Sequence, residues 1–370
     1  MIPRKINLIG PWPPPYGGVA IHLSNLVESI KDRFNIQLFD YSQYKYNKYK
    51  LNKNLSFTHI YLKPFLWPYA FLKLNKYIQS FDIIHNHSII NSYPNSFIIN
   101  KLLTLIHRKK NILIDSVHDQ TLMTRFPYLP PKDKDSLLKY WQEVKIIITI
   151  NNALKDFVSS LNVDNNKIFI INPLLPFKKE ELGNFLVVDE FIKQHDIIFS
   201  TIGAFHPFYD LDTIIEAFIL FQKEYRDAGL ILIQCGFASS LECMKQIKMT
   251  IKKAKKEKSV LILKDIPHKQ VLYILKRSNI FIRGVKEESF GLSKIEALLM
   301  GTPVICTETG EVKFMTTYQF KNKEDLVNKI QLVLQNREKN SVIEAQKFFN
   351  NIAEDNLSKI IKIYEDFSKI

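Results

Sequence analysis

The stretch R-G-V-K-E-E-S-F-G-L-S-K-I-E-A-L-L-M-G-T-P-V-I-C-T (283–307) decides the architecture. An apolar run, N-I-F-I-R (279–283), ends where it begins and reads as a buried strand. A loop carrying Glu288 and Gly291 follows, and Ser293 to Met300 has the spacing of a short helix. Gly301 suits the position just past that helix, and Pro303 prevents its continuation. T-P-V-I-C-T (302–307) is the next buried strand. The amides of Phe290, Gly291, Leu292 and Ser293 then fall at a helix N-terminus. Unpaired N–H groups and a partial charge of about +0.5 make such an end a site for a diphosphate. Glu288 precedes the helix and Glu296 lies one turn inside it. One carboxylate is placed for sugar hydroxyls and the other for ribose hydroxyls.

Outward from this stretch the same alternation recurs. Strands fit 196–203, 229–235 and 259–264, with helices at 211–225 and 268–278 between them. In the first half, strands fit 5–10, 82–85, 111–117, 145–150 and 167–171, and Val19, Leu23, Leu26, Val27 and Ile30 share one face of a helix over 19–30. The composition turns polar and acidic after Pro173 and Pro176, which marks a boundary. The expectation is α/β: two doubly wound, Rossmann-like domains facing an interdomain cleft, with ligands at the carboxyl ends of the strands. The first domain spans 1–177 and is closed by a C-terminal helix at about 345–370; the second spans 178–344. A length of 370 residues suits two cores better than one.

No run approaches the ~20 apolar residues of a membrane span, and the N-terminal apolar run is too short for a signal peptide. Cys235, Cys243 and Cys306 form neither a metal spacing nor a disulfide framework, which suits a reducing, cytoplasmic setting. The net charge of +14 is concentrated: residues 1–110 hold 15 Lys/Arg against 4 Asp/Glu, and the remainder is nearly balanced. Lysines interleave with aromatic residues in K-Y-N-K-Y-K-L-N-K (45–53) and F-L-W-P-Y-A-F-L-K-L-N-K-Y (65–77). That pattern suits an anionic membrane surface, giving peripheral attachment at the inner face of the cytoplasmic membrane. Nucleic acid is not an expected partner.

Three further segments bear on chemistry. P-W-P-P-P-Y-G-G-V-A-I-H-L (11–23) joins the first strand to the first helix, and Gly17 and Gly18 permit positive φ and close backbone approach to a ligand. D-I-I-H-N-H (82–87) sets His85 and His87 two apart at a strand end, a metal reading without neighbouring carboxylate or thiol ligands, and otherwise a cleft wall. S-V-H-D (116–119) places His118 at another strand end.

Together these segments resemble the retaining family-four glycosyltransferases of the GT-B fold. Glu288 and Glu296 match the spacing of that family's E-x₇-E signature, with Ser289 in place of its usual first glycine. The opening resembles P-P-x-G-G-V-x-x-H, and 82–87 and 116–119 resemble its D-V-I-H-x-H and T-x-H-D strand ends. F-Y-D-L-D-T-I-I-E-A-F (208–218) is nearest a bacterial subgroup associated with cell-surface polysaccharides. The resemblance implies transfer of a hexose or related sugar from a nucleotide-sugar donor to a glycan or lipid-linked acceptor, with retention. No metal or other cofactor is then required, because the helix end supplies the electrostatic stabilisation. His118 and Glu288 are the implied catalytic residues. Gly17, Gly18, Phe290, Gly291, Leu292, Ser293 and Glu296 are the implied donor-binding ones. Two other readings share the architecture: a nucleotide-sugar epimerase and a degenerate sugar-nucleotide-binding subunit.

One departure stands out. Many relatives carry G-R-L-x-x-x-K-G after the first strand of the second domain, and its Arg and Lys grip the diphosphate. Here the segment reads G-A-F-H-P-F-Y-D, with Ala204 and Tyr209 at those positions. Lys286 and His206, with Arg283, are the candidates to replace that charge.

Overall fold

The structure is a computed structural model. It describes residues 5–14, 16–41, 55–60, 66–79, 82–88, 95–107, 111–174, 182–234, 242, 245, 249–250, 252, 258–310, 318–336 and 339–368. The basic segment 45–53, Cys235, Cys243, Pro176 and residues 178–181 of the polar turn lie outside them. The chain divides into two compact units. One holds Met1–Pro14, Val19–Leu174 and Ala353–Ile370; the other holds Pro15–Gly18 and Leu175–Ile352.

Unit 1 is built on a seven-stranded sheet in the order β3-β2-β1-β4-β5-β6-β7, parallel throughout. Its elements in chain order are β1 (Lys5–Gly10), α1 (Gly18–Ile30), β2 (Asn35–Asp40), β3 (Leu55–His59), α2 (Trp67–Tyr77), β4 (Ile83–Ser88) and α3 (Asn95–His107). Then come β5 (Ile112–Val117), α4 (Thr121–Arg125), α5 (Pro131–Glu143), β6 (Ile146–Thr149), α6 (Asn152–Ser160) and β7 (Ile168–Ile170). The apolar face of α1 expected from its periodicity is buried, with Leu23, Leu26, Val27 and Ile30 packed on Ile6, Leu8, Ile36 and Ile83. Strands β2 and β3 were not among the expected elements.

Unit 2 contains α7 (Leu186–Ile192), β8 (Ile197–Gly203), α8 (Leu211–Phe221), β9 (Ala228–Gln234), β10 (Val260–Lys264) and α9 (His268–Arg277). It continues with β11 (Ile280–Arg283), α10 (Leu292–Leu299), β12 (Val304–Cys306), β13 (Tyr318–Gln319) and α11 (Lys323–Asn336). Its six parallel strands run β10-β9-β8-β11-β12-β13. Phe199, Phe218, Phe221, Ile282, Ile305, Leu326 and Ile330 form its core. Helix α8 ends at Phe221, not at 225. Gln222 turns the chain there, its amide donating to the carbonyl of Ala228 at 2.9 Å as β9 begins.

The last helix, α12 (Lys339–Ser368), runs from one unit into the other. Its Ile360 and Tyr364 are buried in the core of unit 1. Both sheets are doubly wound, as the alternation predicts. Each has a point where strand order reverses, between β1 and β4 and between β8 and β11. Ligands of open α/β sheets bind beyond the carboxyl ends of the strands at such points.

Candidate active site

The loop-and-helix stretch 283–307 begins at the switch point of unit 2. Strand β11 ends at Arg283, and the chain enters α10 through Gly291, whose φ of 92° and ψ of 44° are left-handed. A side chain at that position would be strained, so the glycine permits the entry. Gly301, at φ 88°, follows the helix as its C′ residue. Phe290 is buried beneath the turn, and Ser293 in the first helical turn has a covered hydroxyl without a partner among the described residues.

Glu288 does not stand open to a ligand. Arg283 donates to its Oε1 from Nε at 3.0 Å and Nη2 at 2.8 Å, and Lys294 lies 2.9 Å from Oε2. Burial alone would raise the carboxyl's pKa, but Arg283 and then Lys294 outweigh it and hold the group below the usual glutamate range. Lys294 is fully buried on α10 and also donates to the carbonyl of Thr309 at 2.7 Å. The triad carries a net charge of +1 beside the start of α10.

Arg283, a candidate for the missing charge clamp, is committed in three directions. Besides Glu288 it donates to the carbonyl of Ile202 at 2.5 Å, and its guanidinium lies 5.1 Å from the centre of the Tyr209 ring. The aromatic residue that stands where relatives carry lysine thus takes the arginine face. His206 and Lys286 are exposed, on two loops joined by the Tyr209–Val285 bridge and by the Lys286 amide, which donates to Phe208 at 3.0 Å. Ala204 is buried and contributes no charge.

Glu296 is 4% exposed, and its Oε1 accepts from Nε2 of His268 at 2.8 Å, at the start of α9. The sequence reading missed His268 and Lys294. Neither stands in a local pattern that marks it, since each is defined by a partner on another turn or element.

Gly17 and Gly18 are exposed at the start of α1. Neither adopts the positive φ that the sequence reading allowed for. An added Cβ at either would meet nothing within 4 Å, so the fold by itself does not demand glycine there. Gly10, at the end of β1, is different: a Cβ would come 2.8 Å from Leu23 and 3.2 Å from His87.

The strand-end histidines separate. His85 is spent in the core, one ring nitrogen 2.6 Å from the Tyr364 hydroxyl and the other 2.7 Å from Ser116. His87 and His118 meet instead, Nδ1 to Nε2 at 3.2 Å, and His22 of α1 joins them with its ring centre 4.7 Å from that of His118. Burial holds all four imidazoles neutral, His22 down to about 4 and His85 to about 3, with mutual repulsion adding to the effect at His85, His87 and His118.

His22, His87 and His118 each offer a ring nitrogen within 4.8 Å of the others, a grouping that could hold a metal. Hydrogen bonding argues against three free ligands. The Leu174 amide donates to Nδ1 of His22 at 2.9 Å, which puts the proton of neutral His22 on Nε2 and removes that lone pair. His87 and His118 are hydrogen-bonded to each other, so one of their two lone pairs is engaged as well.

Residues 186–348 match the family model described as "Glycosyl transferases group 1". The O-antigen chain mannosyltransferase RfbU of Salmonella typhimurium is 26% identical over 168 residues, 44% of this chain and 42% of that protein. The match thus spans less than half the length of that relative. Among solved structures, Anabaena HepE in complex with UDP and glucose aligns with a TM-score of 0.75 at 14% identity, covering 98% of this chain and 99% of that one. Sucrose-phosphate synthase from Thermosynechococcus elongatus aligns at 0.73 and 14%, covering 98% of both chains. These structural likenesses establish the fold as GT-B. The likeness to the group 1 glycosyl transferases thus rests on residues 186–348, in the second unit, while the GT-B fold extends over nearly the whole chain.

Proposed function

We propose that the protein transfers a hexose or related sugar from a nucleotide-sugar donor to a glycan or lipid-linked acceptor in bacterial surface polysaccharide synthesis, with retention of configuration. The observation that carries this reading is the left-handed Gly291 opening α10 at the switch point of unit 2, with Glu296 one turn inside. The diphosphate lies against the amides of Phe290 to Ser293, and the covered Ser293 hydroxyl adds a donor. Glu296 takes the ribose hydroxyls. Arg283 and Lys294 fix Glu288, so it shapes the loop and offers only its remaining lone pairs to sugar hydroxyls. His118 acts on the sugar being transferred. The family relative RfbU, named for an O-antigen, and HepE, solved with UDP, support the polysaccharide and nucleotide parts of the reading.

No metal or other cofactor enters this mechanism. Helix amides and the net positive triad stabilise the departing diphosphate, so turnover survives EDTA. Complete loss, with recovery on Mg²⁺ or Mn²⁺, would replace this account with a metal-assisted one. The protein works at the inner face of the cytoplasmic membrane, held by α2, where Trp67, Tyr69, Leu72 and Lys76 are exposed.

The absence of cationic side chains at 204 and 209 favours, as a second reading, a subunit that binds the nucleotide without turnover. A nucleotide-sugar panel tests both. Stabilisation by one donor together with its hydrolysis or transfer supports the enzyme, and stabilisation without either supports the binding subunit.

A further inference from the structure

We propose that His268 is a positioning residue that sets Glu296 for the ribose, and so gives this chain its discrimination between ribo- and deoxyribonucleotide donors. The inference rests on the donor site described under Proposed function and adds a residue that neither the E-x₇-E spacing nor the loop sequence contains.

The juxtaposition is built by the fold and is not a chance surface contact. Pro267, at φ −55° and ψ 144°, delivers the chain into α9, and His268 is the first helical residue. Val271, Leu272, Ile274 and Leu275 bury the inner face of α9, which packs beside α10. At the far end the Thr302 hydroxyl donates to the Leu275 carbonyl, tying the chain after α10 to the last turn of α9. With both helices held, the Nε2 of His268 meets Oε1 of Glu296 at 2.8 Å.

A carboxylate only accepts hydrogen bonds, so Nε2 of His268 carries the hydrogen of this one. Among the described residues His268 is the partner of the Glu296 side chain. Oε1 is therefore held while Oε2 stays open, and Oε1 keeps a second lone pair. Two neighbouring hydroxyls of a ribose fit a carboxylate so oriented. Without His268, rotation about the last bond of Glu296 would have to be frozen by the ligand, and binding would weaken.

The test uses the full chain and titration calorimetry with UDP, ADP and GDP, followed by the 2′,3′-dideoxy form of whichever binds wild type most tightly. His268→Ala should weaken the ribonucleotide by about ten-fold, the order of one charge-assisted hydrogen bond. It should change the dideoxynucleotide by less than about two-fold, the remaining contacts being intact. His268→Gln, which can still present an N–H to Glu296, should recover part of the loss. In a Glu296→Ala background His268→Ala should change nothing further. Melting curves without ligand identify any variant that fails to fold, and the glutamine variant then carries the comparison. Equal weakening of both nucleotides, or none of either, would overturn the role of His268 while leaving the donor site standing. Preserved ribose discrimination in Glu296→Ala, or no binding of any nucleotide by wild type, would instead overturn the donor site itself and this inference with it.

Discussion

Arg283 gives two N–H groups to a single oxygen of Glu288, at 3.0 and 2.8 Å, so the arginine that ends β11 clamps the carboxylate that begins the loop to α10. The resemblance made Glu288 a ligand-facing residue and Arg283 a spare cation. The fold joins them, with Lys294 on the second oxygen.

Glu288→Gln therefore leaves two cations imperfectly paired, one of them in a fully buried side chain, and should destabilise unit 2 by about 3–5 kcal/mol at neutral pH. The sign with pH follows from the lowered folded value. The pairing contributes above the ordinary glutamate pKa of about 4.3 and is lost as pH falls through the folded one. Urea midpoints of wild type and Glu288→Gln should be widely separated at pH 7 and converge in strong acid. A separation unchanged at pH 3 would contradict the ion-pair account.

The buried histidines of unit 1 yield a second pH test with the same sign, in a window nearer neutrality. Burial lowers His22 to about 4 and His85 to about 3, so between those values and about 6.5 the unfolded chain binds more protons than the folded one. Stability should fall as pH drops through that window, by about 1.4 kcal/mol per pH unit for each histidine involved. His22→Asn should lessen the slope by about one proton. A wild-type profile flat from pH 7 to 5 would show that the imidazoles are not held neutral.

Charge compensation for the diphosphate falls, among the described residues considered for it, to Lys286 and to His206, whose Nδ1 accepts from the Phe208 amide at 3.1 Å, because Arg283 and Lys294 are already paired. Lys286→Ala should weaken a nucleoside diphosphate by about ten-fold and the free nucleoside little, with His206→Ala smaller in the same direction. If both variants bind the diphosphate as wild type does, the helix end and the Arg283–Glu288–Lys294 triad suffice.

Much of this was readable from local pattern, and what was missed has a common physical cause. Gly291 and Gly301 stand where helix-boundary chemistry puts them, and the apolar spacing of α1 gave its buried face. Strand β13 is two residues long, too short for any period to register, and β2 and β3 likewise were not recognised. His22, in the segment 11–23, has no local pattern to mark it, since its partners His87 and His118 lie on other elements. His268 sits 28 residues from Glu296, and nothing local predicts that α9 and α10 will align them. Lys294 reads as a surface residue of a short helix until Glu288 and Thr309 close over it. Pairings across elements are set by packing, and packing is not written in any one window of sequence.

Helix α2 offers a prediction about surfaces. Trp67, Tyr69 and Leu72 are 46%, 46% and 63% exposed, and Lys73 and Lys76 follow on the same helix. The protein should co-sediment with vesicles containing anionic lipid and not with neutral ones, and high salt should release it. Leu72→Glu combined with Lys76→Glu should abolish the association, each lysine being worth ~1 kcal/mol near such a surface. Equal behaviour with both vesicle types would leave α2 as a solvated basic helix.

The central claim is that unit 2 binds the nucleotide part of a sugar donor at the N-terminus of α10, with Glu296 on the ribose. Titration calorimetry of nucleoside diphosphates into wild type and Glu296→Ala tests it most directly. One nucleotide should bind wild type at a single site and bind the variant at least about ten-fold more weakly, the worth of a charged hydrogen bond to ribose. Equal affinity in the two proteins, or no binding of any nucleoside diphosphate to wild type, would contradict the account.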